Sequence, residues 1–234
     1  MTHALGERRP IVAAAIVVSV VLGIGASILV PAAYGFDIQA LAHPGSIVDK
    51  GQGIAQLLRW GALVDMASYL PVAVVVVYFH YRLRALNPEL VTLLTACGLA
   101  YVLIGSIAGV LLATVGPPLI EGYATASAEA QEAARVTLEA LGNAALIGLW
   151  GTLELIFFGC WFIGIGWLLR SDWRRFAVLS MVVGVAFLAT SVRTGLTGRT
   201  LLEISGPIDL AITAALALFF VWQLWLAVRL WRGT

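Results

Sequence analysis

Residues 144–169, AALIGLWGTLELIFFGCWFIGIGWLL, form an unbroken apolar run with a single carboxylate, Glu154, near its middle. A helix needs about 20 apolar residues to cross a hydrocarbon core about 30 Å thick, and this run is long enough. An ionisable group at that depth is costly, and such groups face a bundle interior or a watery cavity rather than lipid. Any fold open to this chain must therefore bury Glu154 between helices. Further apolar runs lie at residues 11–34, 55–81, 90–115, 176–192 and 208–231, in a chain that is 61% hydrophobic and only 12% charged. That balance excludes a water-soluble domain. The expectation is one all-α domain, residues 1–234, folded as an integral membrane bundle of six transmembrane helices.

The runs are separated by readable punctuation. Residues 11–34 exceed the length of a signal-peptide core, about 7–15 residues, and read as a first span. Residues 36–53 carry Asp37, His43, Pro44, Gly45, Asp49 and Lys50, the composition of a loop. The short polar stretch 82–89, with Asn87-Pro88, makes spans two and three antiparallel neighbours, and Gly116-Pro117-Pro118 is expected to end the third. Ser127 fits an N-cap, with Glu129 and Glu132 near the positive end of the helix dipole and Arg135 to Glu139 as an i,i+4 pair. Residues 127–141 thus read as a short extracytoplasmic surface helix, jointed at Gly142-Asn143 to the fourth span. RSDWRR at 170–175 is a tight basic turn, and Ser205-Gly206-Pro207 marks the start of the last helix.

Arginine sets the orientation. With a cytoplasmic N-terminus the inner side holds Arg8, Arg9, Arg82, Arg84, Arg170, Arg174, Arg175, Arg229 and Arg232; the outer side holds Lys50, Arg59, Arg135, Arg193 and Arg199, spread over longer loops. The positive-inside rule places both termini in the cytoplasm, in the inner membrane of a bacterium. Trp167, Trp173 and Trp231 are expected as an inner aromatic belt and Trp60 as part of an outer one.

On this topology Glu154 lies roughly 15 Å in from the outer end of its span, near the midplane. Asp65 falls in the outer half of span two, and Arg193 and Asp209 near the outer ends of spans five and six. Trp150, Leu153, Glu154, Phe157, Phe158 and Trp161 recur at three- and four-residue spacing, an aromatic stripe around the carboxylate. Ser68 and Tyr69 lie within one turn of Asp65 and offer it hydroxyls, while Arg193 or Arg59 would balance its charge. These positions define an outward-opening cleft with Glu154, Asp65, Tyr69, Arg193, Trp150, Phe158 and Trp161 as expected ligand-binding residues. The charged residues also have structural readings: Asp209 as a helix cap, Arg193 and Arg199 as solvated side chains in or next to a loop, Asp65 with an arginine as a clasp, Glu154 as a neutral buried acid.

Other chemistry is sparse. Cys97 and Cys160 sit inside apolar runs with no CxxC and read as small buried hydrophobes. His3, His43 and His80 share no helix face, which argues against a haem pair or a histidine metal cluster; His80 reads as an interfacial side chain. GxSxG, P-loop and HExxH motifs are absent from the sequence. Gly148, Gly151, Gly159, Gly164 and Gly166 read as helix-packing positions. No cofactor, metal or nucleic-acid partner is expected.

The passages WGALVDMASYLPVAVVVVYFHYRL (60–83), IFFGCWFIGIGWLLRSDWRRFAVLSMVVGVAFL (156–188) and the closing GPIDLAITAALALFFVWQLWLAVRLWRG resemble the bacterial six-helix membrane family catalogued as domain of unknown function 4386. Asp65, Phe157-Phe158-Gly159 and Asp209 fall where that family tends to have such residues. The resemblance implies a six-helix membrane protein and supplies no activity.

Three functions fit these residues. The first is a protein that binds a small hydrophobic or amphipathic molecule, or a lipid, in the intramembrane cleft, with carrier activity as one form of it. The second is an accessory subunit of a larger membrane complex or a homo-oligomer, assembled through glycine-rich faces. The third is a membrane enzyme on an apolar substrate with Glu154 as general acid.

Overall fold

The structure, a computed structural model, describes residues 8–198 and 207–233, apart from the side chains of residues 38–39, 207–209, 211–213 and 215–216. Expectations for His3, Arg199, Ser205-Gly206 and the Asp209 carboxylate lie outside the described residues. Among the described residues every regular element is a helix: α1 (Pro10–Ala33), α2 (Ile38–Ala42), a 3-10 turn (Pro44–Lys50), α3 (Gly53–Leu83), α4 (Pro88–Tyr123), α5 (Ala128–Asn143), a π-helical segment (Ala144–Glu154), α6 (Leu155–Leu169), α7 (Arg174–Thr197) and α8 (Pro207–Arg232). Five helical stretches among the described residues are long and apolar enough to cross a membrane: Pro10–Ala33, Gly53–Leu83, Pro88–Tyr123, Ala128–Leu169 and Arg174–Thr197. The chain is a multi-pass membrane protein surrounded by lipid.

Local chemistry explains the helix starts. Asn87 accepts from the Leu90 amide at 3.0 Å, with Pro88 in the first helical position, and Ser127 accepts from the Ala130 amide at 3.4 Å. Gly198, at φ 64°, closes α7 in the left-handed conformation that glycine adopts without strain.

Several expected boundaries move. α4 does not stop at Gly116-Pro117-Pro118 but continues to Tyr123. Neighbouring helices re-satisfy carbonyls freed by proline in a buried helix, so the pair is carried through. The joint expected at Gly142-Asn143 is also absent, because Asn143 keeps helical angles (φ −63°, ψ −41°) and α5 runs on through the π segment into α6. The resulting 42-residue rod, Ala128–Leu169, is roughly 60 Å long, twice the hydrocarbon thickness. Its polar first third packs against α4, where the Gln131 amide donates to the Tyr123 carbonyl at 3.0 Å, and against the 3-10 turn.

The stretch read as a loop, 36–53, is instead a packed cover. Ala40, Leu41, Ile47 and Val48 are buried against Val30, Ala33, Leu58, Ile120 and Leu138. Arg135 and Glu139 do not pair with each other: Arg135 reaches Asp49 at 2.8 Å, and Glu139 accepts from the Gly45 amide at 2.7 Å. Both side chains join α5 to the cover. At the same end Arg59 lies 3.5 Å from Glu121, which ties α3 to α4.

Packing neighbours close a ring in the order α1, α3, α4, α6, α7, α8 and back to α1. One end of the ring, the arginine end, carries Arg9, Arg82, Arg84, Arg170, Arg174, Arg175, Arg229 and Arg232, since successive helices alternate in direction. Its interior is aromatic: Phe79, Trp161, Phe162, Phe176 and Trp222 are each 2% exposed or less and meet at ring separations of 4.7–6.2 Å. Gly159 and Gly184 let α6 and α7 approach so closely that a Cβ on either would fall 2.9 or 2.8 Å from the other's carbonyl oxygen, the small-residue packing expected of membrane helices. Two side chains depart from expectation at this end. Trp173 is buried at 4% exposure rather than set in a belt, because the Arg229 guanidinium stacks 4.1 Å over its ring. Cys160 is exposed on the lipid-facing side of α6, not buried. Trp60, Trp167 and Trp231 are exposed.

Candidate functional site

Glu154 is the last residue of the π segment. In such a helix each amide reaches back five residues instead of four, a geometry that is rare and recurs at functional sites. Local sequence permits it here. The Thr152 hydroxyl donates to the Ile147 carbonyl, five residues back, at 2.7 Å. Gly151 leaves room where a Cβ would lie 2.7 Å from both the Leu146 carbonyl and the Thr194 methyl. The wider turn shifts the register of the residues at its end. Leu153, which helical spacing places on the Glu154 stripe, is 40% exposed, while Glu154 is buried at 6%. Backbone acceptors are also displaced toward neighbouring helices, and the Thr152 carbonyl receives the Ser191 hydroxyl of α7 at 2.9 Å.

The Glu154 carboxylate meets Tyr69 of α3, whose hydroxyl donates to it and sits 3.1 Å from Oε1 and 3.0 Å from Oε2. Tyr69 reaches this far because residue 105 of α4 is glycine: its ring fills the space that any Cβ there would occupy. Tyr69 packs on Tyr101 with ring centres 5.2 Å apart, and Tyr101 stacks on Phe158 at 3.5 Å and 11°. The Trp150 indole N–H donates to the Gly105 carbonyl at 3.2 Å, locking the π segment to α4 beside the tyrosine. Asp65 stands one turn from Tyr69 on α3, in electrostatic reach of Tyr69, Tyr101 and Glu154. Its Oδ2 is buried without a hydrogen-bond partner. The Tyr69 phenol and the Glu154 carboxyl thus meet inside the ring, with the Tyr101 phenol and the Asp65 carboxyl in electrostatic reach, a nest of two carboxyls and two phenols. Among the described residues no three His, Cys, Asp or Glu side chains gather as a metal site.

The family described as Domain of unknown function (DUF4386) matches residues 11–233. This chain is a member of that family. No curated protein and no solved structure matches it.

Within the DUF4386 domain the expected site residues divide. Glu154 and Tyr69 meet in the nest, Trp150 locks the π segment beside them, Asp65 lies in electrostatic reach and Phe158 stacks on Tyr101; Trp161 stacks in turn on Phe158, with ring centres 5.5 Å apart. Trp161 turns to Phe79 and Trp222 in the aromatic interior, 1% exposed. Arg193 is half-buried on α7. Arg59, the other expected counter-charge, is taken by Glu121. The hydroxyl of Tyr69 serves Glu154 rather than Asp65, because the Tyr69 side chain points across the ring toward the π segment, and Ser68 instead offers its carbonyl to the Ser19 hydroxyl at 2.9 Å. Sequence reasoning missed Tyr101 and Gly105. Gly98, Gly105 and Gly109 share one face of α4, and that spacing is the signal that places a bulky partner from α3 against it.

Proposed function

We propose that this DUF4386 protein binds a small molecule in the nest formed by Asp65, Tyr69, Tyr101 and Glu154. The observation that carries this reading is the buried Asp65 Oδ2, which lacks a donor although a second carboxyl lies close by. A buried acceptor left unmade costs about 1–3 kcal/mol, and structures retain such groups where something else completes them. The nest holds four carboxyl oxygens against the hydroxyls of Tyr69 and Tyr101, so acceptors exceed donors. Its complement is a small amphipathic molecule that brings hydrogen-bond donors to Asp65 and Glu154 and lays an apolar part on Tyr101 and Phe158.

In this reading α8 is the sixth span and closes the ring between α1 and α7. The arginine end faces the cytoplasm of a bacterium, which puts α5 and the cover 36–53 on the outer surface, and the ligand reaches the nest from that side. Native mass spectrometry of the protein extracted with its lipids tests the function. A bound small molecule that is lost in Glu154→Gln, with the melting temperature unchanged, is the expected result. A parent protein that carries phospholipid alone, and a Glu154→Gln variant that only loses stability, would overturn it.

A further inference from the structure

A second site lies at the other end of the ring, on its outer wall between α1 and α3. A groove of about 450 Å³ runs there, floored by Val12, Val74 and Val77 and closed at the arginine end by Arg9 and Arg82. Tyr78 and Tyr81 stand beside the two arginines. The Arg9 backbone amide donates to the Leu230 carbonyl at 2.8 Å, which fixes where this arginine enters the groove relative to α8. Arg82 sits in the last turn of α3, and its Nε is buried with no hydrogen-bond partner. A guanidinium nitrogen enclosed by protein and left without an acceptor marks a place where an anion completes the structure.

The groove has the division of a phospholipid. Val12 of α1 with Val74 and Val77 of α3 gives an apolar wall open to the hydrocarbon, which suits an acyl chain. Two arginines and two tyrosines at headgroup depth suit a phosphate, which guanidinium binds through paired N–H donors, while tyrosine prefers the membrane interface. No carboxylate lines the groove, so its charge is positive. We infer that the α1–α3 groove is a specific site for an anionic phospholipid, with its phosphate held between Arg9 and Arg82 and an acyl chain along Val12, Val74 and Val77. Basic pockets between membrane helices recognise anionic headgroups by the same physics. This site is independent of the nest, and either stands if the other fails.

The test uses the full-length protein in mixed micelles of phosphatidylglycerol and phosphatidylcholine, with retained lipid read by native mass spectrometry. The expected result is one phosphatidylglycerol retained in preference to phosphatidylcholine. Arg82→Gln, which keeps a polar side chain and loses the charge, reduces that preference about tenfold, the size of one charge-assisted hydrogen bond. Arg175→Gln, an exposed arginine on the first turn of α7, leaves it unchanged. Val77→Trp fills the groove without touching either arginine and also expels the lipid. Melting temperatures close to the parent's show that the variants fold. Equal retention of the two lipids, or an undiminished preference in folded Arg82→Gln and Val77→Trp, overturns the proposal. Displacement of the phosphatidylglycerol by inorganic phosphate would overturn it too, by showing that the acyl chain contributes nothing.

Discussion

The two halves of the ring interior are built from different chemistry. Toward the arginine end Phe79, Trp161, Phe162, Phe176 and Trp222 interlock, and the Trp222 indole N–H finds the Ser180 hydroxyl at 2.7 Å. The rings there are in van der Waals contact and that indole N–H is matched. Toward the covered end the interior holds Glu154, Tyr69, Tyr101 and Asp65, an irregular helix, and a carboxyl oxygen with no partner. Nothing in membrane packing calls for such a layer, since apolar side chains would fill it at lower cost. In the proposed reading the aromatic half carries stability and the acidic half recognises the ligand.

That assignment is strongest where the effects are largest. Trp161→Ala empties a closely packed interior, and unfolding in detergent micelles is expected to show a loss of about 3–5 kcal/mol. A cost as small as that of a surface substitution would mean that the aromatic half is not what holds the ring together. Gly105→Ala strikes the Tyr69 ring and drives it from Glu154; the expected cost is about 1–3 kcal/mol, with loss of the bound small molecule. Tyr69→Phe keeps the ring and removes the donor, so the change is smaller, about 1–2 kcal/mol by the same unfolding measurement. Asp65→Leu takes the opposite sign: deleting an acceptor that has no partner raises the stability of the ligand-free protein by about 1 kcal/mol and abolishes binding. A destabilised Asp65→Leu would assign Asp65 to the fold and erase the difference between the halves. Smallest of all, Arg135→Ala breaks an exposed ion pair with Asp49 and leaves the melting temperature within error.

The sequence carries the helices more openly than their connections. Apolar length alone locates the helices at 10–33 and 53–83 to within two residues, because lipid allows few alternatives to a helix, whereas α7 runs five residues past the end expected for its span. It misplaces the end of α4, since proline is read as a terminator on rules that hold in water and weaken where neighbours satisfy the backbone. It also misreads residues 36–53, whose Gly, Pro and Asp content conceals four buried apolar residues that pack against α3, α4 and α5. Of the site, Glu154 and Asp65 are visible as charges in apolar runs. The link between them is not, because it depends on Tyr69 crossing the ring and on a π turn that regular helical spacing does not anticipate.

If Asp65 and Glu154 act as one site, a double-mutant cycle on small-molecule retention shows it most directly. Asp65→Asn and Glu154→Gln, measured singly and together by native mass spectrometry, are each expected to release the same bound mass, with the double variant no worse than either single one. Independent, additive losses, or retention of that mass in both single variants, would contradict it.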